Sequence, residues 1–483
     1  MNYRMVFYSI GQIFKIMGIF ILIPIFVAMG YRETVLPFIY VAIIFFALGF
    51  LLAFKRPKVS NMGSREAIVS IGLAWIVVSL ISSLVYIFSG AIKGFVDAFF
   101  EMVSGITTTG ATILTDIESL PKSILFFRNM TCWIGGVGIL VFILALTPGK
   151  EKGGFQLLKA ESPGPSVSKL TSKLSTTARA LFGIYVGLTL LQFIILLCGG
   201  VDWFNSLTLS FSTAGTGGFT VTNLNVASYN SQFVNIVLTI FMLIFSINFY
   251  VYFLIFIGKG LTAIKNEEMW VFLGIVLVST IIISIDISAQ VGNFWTALGQ
   301  ASFQVSSAAS STGFGVVDYN SWSALSQTLL LVIMMIGGCA GSTAGGLKVM
   351  RLVGLCKGSH LKTRQVTNPH RVNTVKINGK PQEESYINSI FFYFVIYIFI
   401  LFAFTLLVSI DRQLDFGTAL SACIATFNNA GPGIGIIGSM GNYSSLGIGT
   451  KLLLSGAMLI GRLEIFPIIM LFLPSTWRRV NAN

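Results

Sequence analysis

The stretch FFEMVSGITTTGAT, residues 99–112, decides how the chain is read. It is moderately apolar, falls short of the ~20 residues a helix needs to cross hydrocarbon, ends in small polar residues and glycine, and lies between two longer apolar runs. Three other stretches share this design: SFSTAGTGGFT at 210–220, SFQVSSAASSTGFG at 302–315 and ATFNNAGPGIG at 425–435. Phe100 stands ten residues before Gly110, and Phe303 ten before Gly313. The whole segments, about 96–115, 203–222, 294–315 and 415–437, are too short to cross twice as helices and too apolar for outer loops. They read as re-entrant pore helices followed by extended chain, which is tolerated at membrane depth only where it lines a water-filled cavity.

Outward from these segments the chain is apolar almost throughout. Of 483 residues 54% are hydrophobic and 10% charged, and the mean hydropathy is +0.84, which excludes an ordinary soluble domain. Ten spans are expected, at about 7–29, 35–54, 68–90, 126–147, 180–200, 233–258, 269–287, 326–356, 387–410 and 449–473. The intervals from Gly110 to Gly218, Gly313 and Gly431 are 108, 95 and 118 residues, the period of a span–pore–span unit repeated four times. The expected fold is therefore all-α integral membrane, with four pseudo-repeated units around one pore. Two extra N-terminal helices would occupy 1–66, and the units 67–150, 151–260, 261–360 and 361–483, the last including a cytoplasmic loop.

The net charge of +13 lacks the clustering of a nucleic-acid surface. Its basic residues sit in short loops: Lys55, Arg56, Lys58 and Arg65; Lys150, Lys152, Lys159, Lys169 and Lys173; Arg364, Arg371, Lys376 and Lys380. The alternate loops are poorer in Lys and Arg. This positive-inside pattern puts the basic loops and both termini, with Arg4, Arg478 and Arg479, in the cytoplasm. The first run, Phe7–Met29, is too long for a cleaved signal and should stay as a helix. Five widely spaced cysteines, Cys132, Cys198, Cys339, Cys356 and Cys423, suggest packing rather than disulfides. VKINGKP at 375–381 reads as a hairpin turning at Asn378–Gly379, either a solvated connector or a docking point for a regulatory partner.

A dehydrated monovalent cation needs several oxygen ligands at once, and a ring of backbone carbonyls supplies them without buried counter-charges. Aiming carbonyls at an axis favours glycine, which gives Gly110, Gly218, Gly313 and Gly431 a reason to be glycine. The adjacent carbonyls would come from Thr108 and Thr109, Thr216 and Gly217, Ser311 and Thr312, and Asn429 and Ala430. In the second unit Gly215, Gly217 and Gly218 compete for the key position. A lone glycine in a transmembrane helix more often serves close packing; four in matching contexts do not read that way. Glu101, Asp116, Asp202 and Asp415 read as a solvated acidic rim at the outer mouth.

Within the eighth run, GGCAGSTAGGLK at 337–348 has too many poor helix formers to stay helical. A broken segment beneath a filter is a candidate gate, formed by Gly337, Gly338, Gly341, Ser342, Thr343, Gly345, Gly346 and Lys348; close helix packing is the alternative. Arg462, in IGRLEIF at 460–466, is an ionisable group at membrane depth and so a functional candidate. It would repel cations, pair with Glu464 or a loop carbonyl, or anchor at the interface. Nothing points to an enzyme: there is no Walker loop and no metal-spaced His/Cys cluster, His360 and His370 lie in a loop, and IGGVGI at 134–139 follows no strand.

These motifs resemble the Trk/Ktr/HKT superfamily of potassium transporters, and the resemblance covers nearly the whole chain. FFEMVSGITTTGATIL, STAGTGGFT, SSTGFG and NNAGPGIG are similar to its four filter segments. GGCAGSTAGGLKVMR is similar to its intramembrane gating loop, GRLEIF to the arginine segment of its last helix, and NPHRVNTVKINGKP to the cytoplasmic loop of Trk-type members. The extra N-terminal helices suit the TrkH-like subgroup. The resemblance implies K⁺ uptake through one pseudo-fourfold pore with K⁺ held at the filter residues, and no organic cofactor. It also implies a homodimer in a bacterial inner membrane, regulated by a cytoplasmic TrkA-type ring that binds nucleotide. In that family a serine at the first filter glycine goes with Na⁺; Gly110 implies K⁺, with Rb⁺ as surrogate. The third segment is less threonine-rich than usual, and Ala344 stands where the gating loop commonly has glycine. Whether flow is passive or coupled to H⁺ or Na⁺ stays open. The competing class is an ion-coupled transporter of a small organic solute, which would need a roomy site lined by side-chain ligands.

Overall fold

The computed structural model describes residues 1–55, 63–138, 174–367 and 374–477. Among them the chain is an all-α membrane protein with one two-stranded hairpin. Helices α1 (Tyr3–Tyr31) and α2 (Leu36–Leu52) form an antiparallel pair. They pack closely because Gly11 faces the Gly49 carbonyl and the Ala53 backbone, where a Cβ would find no room; small residues let membrane helices approach in this way. The chain continues through α3 (Ser64–Phe88), α4 (Phe95–Ile106), α5 (Lys122–Val137), α6 (Leu174–Cys198), α7 (Trp203–Gly215), α8 (Gln232–Ser246), α9 (Phe249–Phe256) and α10 (Gly260–Ile264). Then follow α11 (Glu267–Val291), α12 (Phe294–Ala309), α13 (Ala324–Ile336), α14 (Val349–Thr367), α15 (Glu384–Val408), α16 (Phe416–Phe427), α17 (Ile448–Arg462), α18 (Phe466–Phe472) and α19 (Pro474–Trp477).

Among the described residues five helices are long and apolar enough to cross a membrane, at 3–31, 65–88, 179–198, 267–291 and 384–408, and counting each of two bent pairs as one span brings the number to seven. Several of the expected spans differ in their course. The run at 233–258 is not one helix: α8 and α9 meet at 91°. The run at 449–473 is likewise broken, with α17 and α18 at 120°. That second bend forces Glu464 and Ile465 to φ 57° and 67°, a left-handed region that costs a residue with a Cβ about 1–2 kcal/mol. The run at 326–356 ends as α13 at Ile336 and resumes as α14 at Val349, as its glycines predict. The 126–147 run is helical to Val137. Its remainder, Arg56, Lys58, Lys150, Lys152, Lys159, Lys169, Lys173, His370, Arg371, Arg478 and Arg479 lie outside the described residues.

Long helices expose apolar side chains such as Phe26, Ile285, Phe399 and Leu406, where lipid takes the place of water. The short helices α4, α7, α12 and α16 instead have nearly every residue of their C-terminal halves buried. Asp202, Asn293 and Asp415 cap three of them by accepting the first free N–H groups. The hairpin pairs Lys376–Ile377 with Lys380–Pro381, and its turn places Asn378 and Gly379 at φ 51° and 73°, as expected for an Asn-Gly turn. Cys132, Cys339 and Cys423 are buried, while Cys198 and Cys356 are exposed; all five are free.

Candidate functional site

Each of the four short helices ends in the same backbone figure. Thr108, Thr216, Ser311 and Asn429 take left-handed conformations at φ 56°, 52°, 53° and 52°. The N–H of the following residue bonds back five positions: Thr109 to Ser104 at 2.8 Å, Gly217 to Ser212 at 2.8 Å, Thr312 to Ser307 at 3.0 Å, Ala430 to Ala425 at 2.8 Å. This is a Schellman termination built on residues with a Cβ, and the next residue but one in each case is a glycine at positive φ: Gly110 at 83°, Gly218 at 66°, Gly313 at 83°, Gly431 at 84°. The four segments thus share one pattern of φ and hydrogen bonding despite unlike sequences. In the second unit Gly215 is the last helical residue, so Gly218 stands where Gly110 stands in the first.

The segments also close on one another. A Cβ on Gly110 would meet the Gly217 carbonyl oxygen; on Gly218, that of Thr312; on Gly313, that of Ala430; on Gly431, that of Thr109. Each unit abuts the next, and the fourth abuts the first, so all twelve residues named from sequence stand in one cyclic arrangement. Side-chain hydroxyls bond sideways, Thr107 to Thr109 at 2.8 Å and Ser310 to Thr312 at 2.6 Å. Four helix C-termini converge on this ring, each carrying about half a negative charge, which favours a cation. Outside the ring a cavity of about 80 Å³ is lined by Gly110, Gly218, Gly313 and Gly431. Inside it, one of about 110 Å³ touches Asn429, Gly345, Lys348, Arg462 and Glu464.

The segment 337–348 lies directly beneath this ring. Its ends are pinched together by bonds from Leu347 N–H to the Met335 carbonyl and from Lys348 N–H to that of Ile336, both 2.9 Å, and Gly337, Gly341, Gly346 and Lys348 have positive φ. Gly338 packs so closely on Ala344 and Ser246 that a side chain would not fit. The Thr343 hydroxyl donates to the Phe245 carbonyl at 3.1 Å, and the Ser342 hydroxyl to the Cys339 carbonyl at 2.6 Å. Two bonds reach the ring itself: the Thr216 hydroxyl donates to the Thr343 carbonyl at 3.0 Å, and Gly345 N–H to the Ser311 hydroxyl at 2.5 Å. Arg462 donates to Thr343 at 3.1 Å and to the carbonyls of Gly135 and Gly136. One partner expected for it, a loop carbonyl, is thus engaged. Glu464 pairs with Arg351 at 2.5 Å. Lys348 turns its ammonium to the Ala344 carbonyl.

Several residues escaped the sequence reading. Glu268, buried at the start of α11, accepts from Ala340 N–H at 2.6 Å and Met350 N–H at 3.1 Å, so it holds both ends of the 337–348 segment. Gly135 and Gly136, considered only as a nucleotide motif, receive Arg462. Tyr443 donates to the Gly431 carbonyl at 2.7 Å. The acidic rim needs correction at Glu101, which is 0% exposed and paired with Arg128 at 2.7 Å; a segment that folds back buries its own first turns. Asp116 and Asp415 do lie at the surface. The Asn223 amide and Ser119 hold the Asp116 carboxyl below its ordinary pKa, and the Thr418 hydroxyl does the same for Asp415.

Comparison with known proteins agrees with this architecture. A family profile described as TrkH, cation transport protein, matches residues 37–479. The Trk system potassium uptake protein TrkH of Salmonella typhimurium is 34% identical over 99% of this chain and 100% of its own length. TrkG of Escherichia coli is 31% identical over 98% and 99%. The crystal structure of the potassium transporter TrkH from Vibrio parahaemolyticus superposes with a TM-score of 0.88 at 29% identity, covering 99% of this chain and 100% of that one. With a closed ring of four like segments, a broken span beneath it and full-length similarity of this kind, the chain belongs to the TrkH family of cation transport proteins, as a Trk-type membrane subunit.

Proposed function

We propose that the protein takes up potassium across a bacterial inner membrane through the ring formed at Thr108–Gly110, Thr216–Gly218, Ser311–Gly313 and Asn429–Gly431. The observation that carries this is the cyclic contact of four left-handed-then-glycine segments, which surrounds one axis with backbone oxygens. A dehydrated K⁺ gains there the oxygens it gives up from water. The relatives' names support potassium as the ion, and no organic cofactor enters. An organic-solute transporter is not favoured, because the cavities on either side of the ring, about 80 and 110 Å³, have the size of ions with a few waters.

The 337–348 segment acts as the gate. It bonds two of the four segments and is tied by Arg462 and Glu268, so flow requires it to move aside. The basic loops, hairpin and both termini face the cytoplasm. A nucleotide-binding regulatory ring of TrkA type acts on that face, and the subunit works as a homodimer; the four units span 67–150, 151–260, 261–360 and 361–483 after the two N-terminal helices. The test is ⁸⁶Rb⁺ uptake into liposomes holding the purified protein, with Gly110→Ser beside wild type. A serine Cβ would meet the Gly217 carbonyl at a φ that disfavours it, so the ring must distort. Uptake blocked by K⁺ and hardly by Na⁺, and blocked by both in the variant, is expected. Wild-type discrimination in a folded Gly110→Ser protein would refute the carbonyl filter.

A further inference from the structure

The ring is symmetric in backbone, yet what supports it from behind differs from unit to unit. In the second and third units a serine six residues before the glycine lies against the carbonyl just after it: Ser212 to Phe219 at 2.6 Å, Ser307 to Phe314 at 2.8 Å. In the fourth, Tyr443 bonds the glycine carbonyl itself. In the first, the matching serine, Ser104, has a buried hydroxyl without a partner, and a charged pair does the work. Glu101 accepts from Ile113 N–H at 2.9 Å, with the Thr112 hydroxyl 3.0 Å from both its oxygens. Arg128, 27 residues on, bonds Glu101 at 2.7 Å, donates from its other arm to the Thr220 carbonyl at 2.8 Å, and lies over the Phe219 ring at 3.5 Å.

The two ends of this strut grip different strands. Thr112 and Ile113 follow Gly110 in the first segment, and Phe219 and Thr220 follow Gly218 in the second. Both side chains are closed off from solvent, 0% and 1% exposed, yet Arg128 contributes to the wall of the outer cavity where the four glycines stand. A guanidinium so close to the path of an entering cation repels it unless a carboxylate cancels the charge, and attraction or repulsion between unit charges is strong where water is excluded. Arg is suited to the place because its planar fork reaches two acceptors while its face stacks on an aromatic ring.

We infer that the Glu101–Arg128 pair is a selectivity-setting strut for ion passage, in which Arg128 fixes the spacing of the first two ring segments and Glu101 cancels its charge for the entering cation. Neither residue touches the ion, so both are positioning residues. The inference rests on the potassium-filter reading and separates into two measurable parts.

The experiment is ⁸⁶Rb⁺ uptake by the full-length chain in liposomes, measuring KM for Rb⁺ and the inhibition by K⁺ and Na⁺, with melting temperature in detergent as a check of folding. Glu101→Gln keeps an acceptor for Ile113 N–H and leaves Arg128 on Thr220, but strips the charge; it should raise KM about tenfold or more with K⁺ still preferred over Na⁺. Arg128→Lys keeps the charge and loses the fork and the stack; it should leave KM near wild type and let Na⁺ compete. The double variant Glu101→Gln, Arg128→Met is neutral and strapless, so KM should return to near wild type while Na⁺ competes. If Glu101→Gln cannot be folded with its uncompensated guanidinium, the double variant decides alone: lost discrimination with normal KM supports the strut. Wild-type discrimination in folded Arg128→Lys or in the double variant overturns it, as does an unchanged KM in Glu101→Gln. A folded wild-type protein that passes no Rb⁺ even when supplied with its regulatory partner would count against the potassium reading itself, before any variant is compared.

Discussion

Replacing Arg462 should make the closed pore leak, by an amount the geometry fixes. For the 337–348 segment to leave the ring it must give up the bond from Arg462 to the Thr343 carbonyl, at 3.1 Å, that from the Thr216 hydroxyl to the same oxygen, at 3.0 Å, and that from Gly345 N–H to Ser311. A hydrogen bond from a charged donor contributes about 1.5–3 kcal/mol and a neutral one about 1. Arg462→Gln, too short to span Thr343 and Gly135 together, should therefore shift the closed-to-open ratio by roughly 10- to 100-fold. Uptake without the regulatory ring should rise accordingly until opening saturates. Thr216→Val removes a neutral bond that the hydroxyl shares with the nearer Gly215 carbonyl at 2.7 Å and should raise it at most about fivefold; the two changes share one acceptor oxygen, so in a double-mutant cycle they should not add. Removing a cation from the inner cavity would by itself also ease ion flow. Arg462→Lys separates the causes: it keeps the charge but not the fork, and should leak if bonding holds the gate and stay tight if repulsion does. The assay is initial-rate ⁸⁶Rb⁺ influx into liposomes at matched protein density. Unchanged influx in folded Arg462→Gln would refute the clamp.

Gly345→Ala should act in the same direction, since its Cβ would meet the Asn428 carbonyl and push the segment off the ring; regulator-free influx should exceed wild type, and influx at the wild-type level would count against contact between gate and ring. Tyr443→Phe removes one bond to the Gly431 carbonyl, worth about 1 kcal/mol, so Na⁺ should inhibit Rb⁺ uptake several-fold better than in wild type, with little change in melting temperature. Asp415→Ala deletes the N-cap of α16 and should cost about 0.5–2 kcal/mol of stability near neutral pH, read as a lower melting temperature. The Thr418 hydroxyl and the N–H groups of Gly417 and Thr418 hold the Asp415 carboxyl below its ordinary pKa. Its contribution is therefore complete above the unfolded value of ~3.9 and is lost as pH falls through the lowered folded value. The gap between variant and wild type should be flat from pH 5 to 8 and close in stronger acid; a gap that widens on acidification would contradict the cap.

The parts legible in sequence were those where local chemistry has one good answer. A short apolar segment ending in hydroxyls and glycine, met four times, implied the ring, and Asn378–Gly379 implied the hairpin turn. Even the ambiguous second unit follows local rules once its helix is seen to end at Gly215. The break at 247–248 was not legible, because NFY contains no strong helix breaker; that at 463–465 had a signal the reading passed over, Pro467 in the first turn of α18, which lacks the N–H a continuous helix would need. They are made by distant partners: Cys339 N–H takes the Ser246 carbonyl at 2.9 Å and Phe249 N–H gives to Gly341 at 3.1 Å, while Glu464 is held out by Arg351. Glu101 misled for a related reason. Its neighbours in sequence belong to a helix that begins at the exposed Phe95, and nothing within ten residues reveals the arginine that lets it be buried.

The same contrast locates where this protein's individuality lies. Four segments with the sequences TTG, TGG, STG and NAG share one backbone course, so the ring is set by left-handed caps and glycines that each unit supplies for itself. Selective function needs more than equal backbones, because a ring of carbonyls free to relax would close on a smaller ion as readily as it holds a larger one. Its stiffness must come from behind, and there the units part company: a charged strut, two serines and a tyrosine. The proposed gate is equally one-sided, bonded to Thr216 and Ser311 of the second and third segments, with Asn428 of the fourth against Gly345. Substitutions at equivalent positions should for that reason be unequal in effect. Losing the strut of the first unit should disturb selectivity without touching the gate, and losing Thr216 should disturb the gate while sparing selectivity.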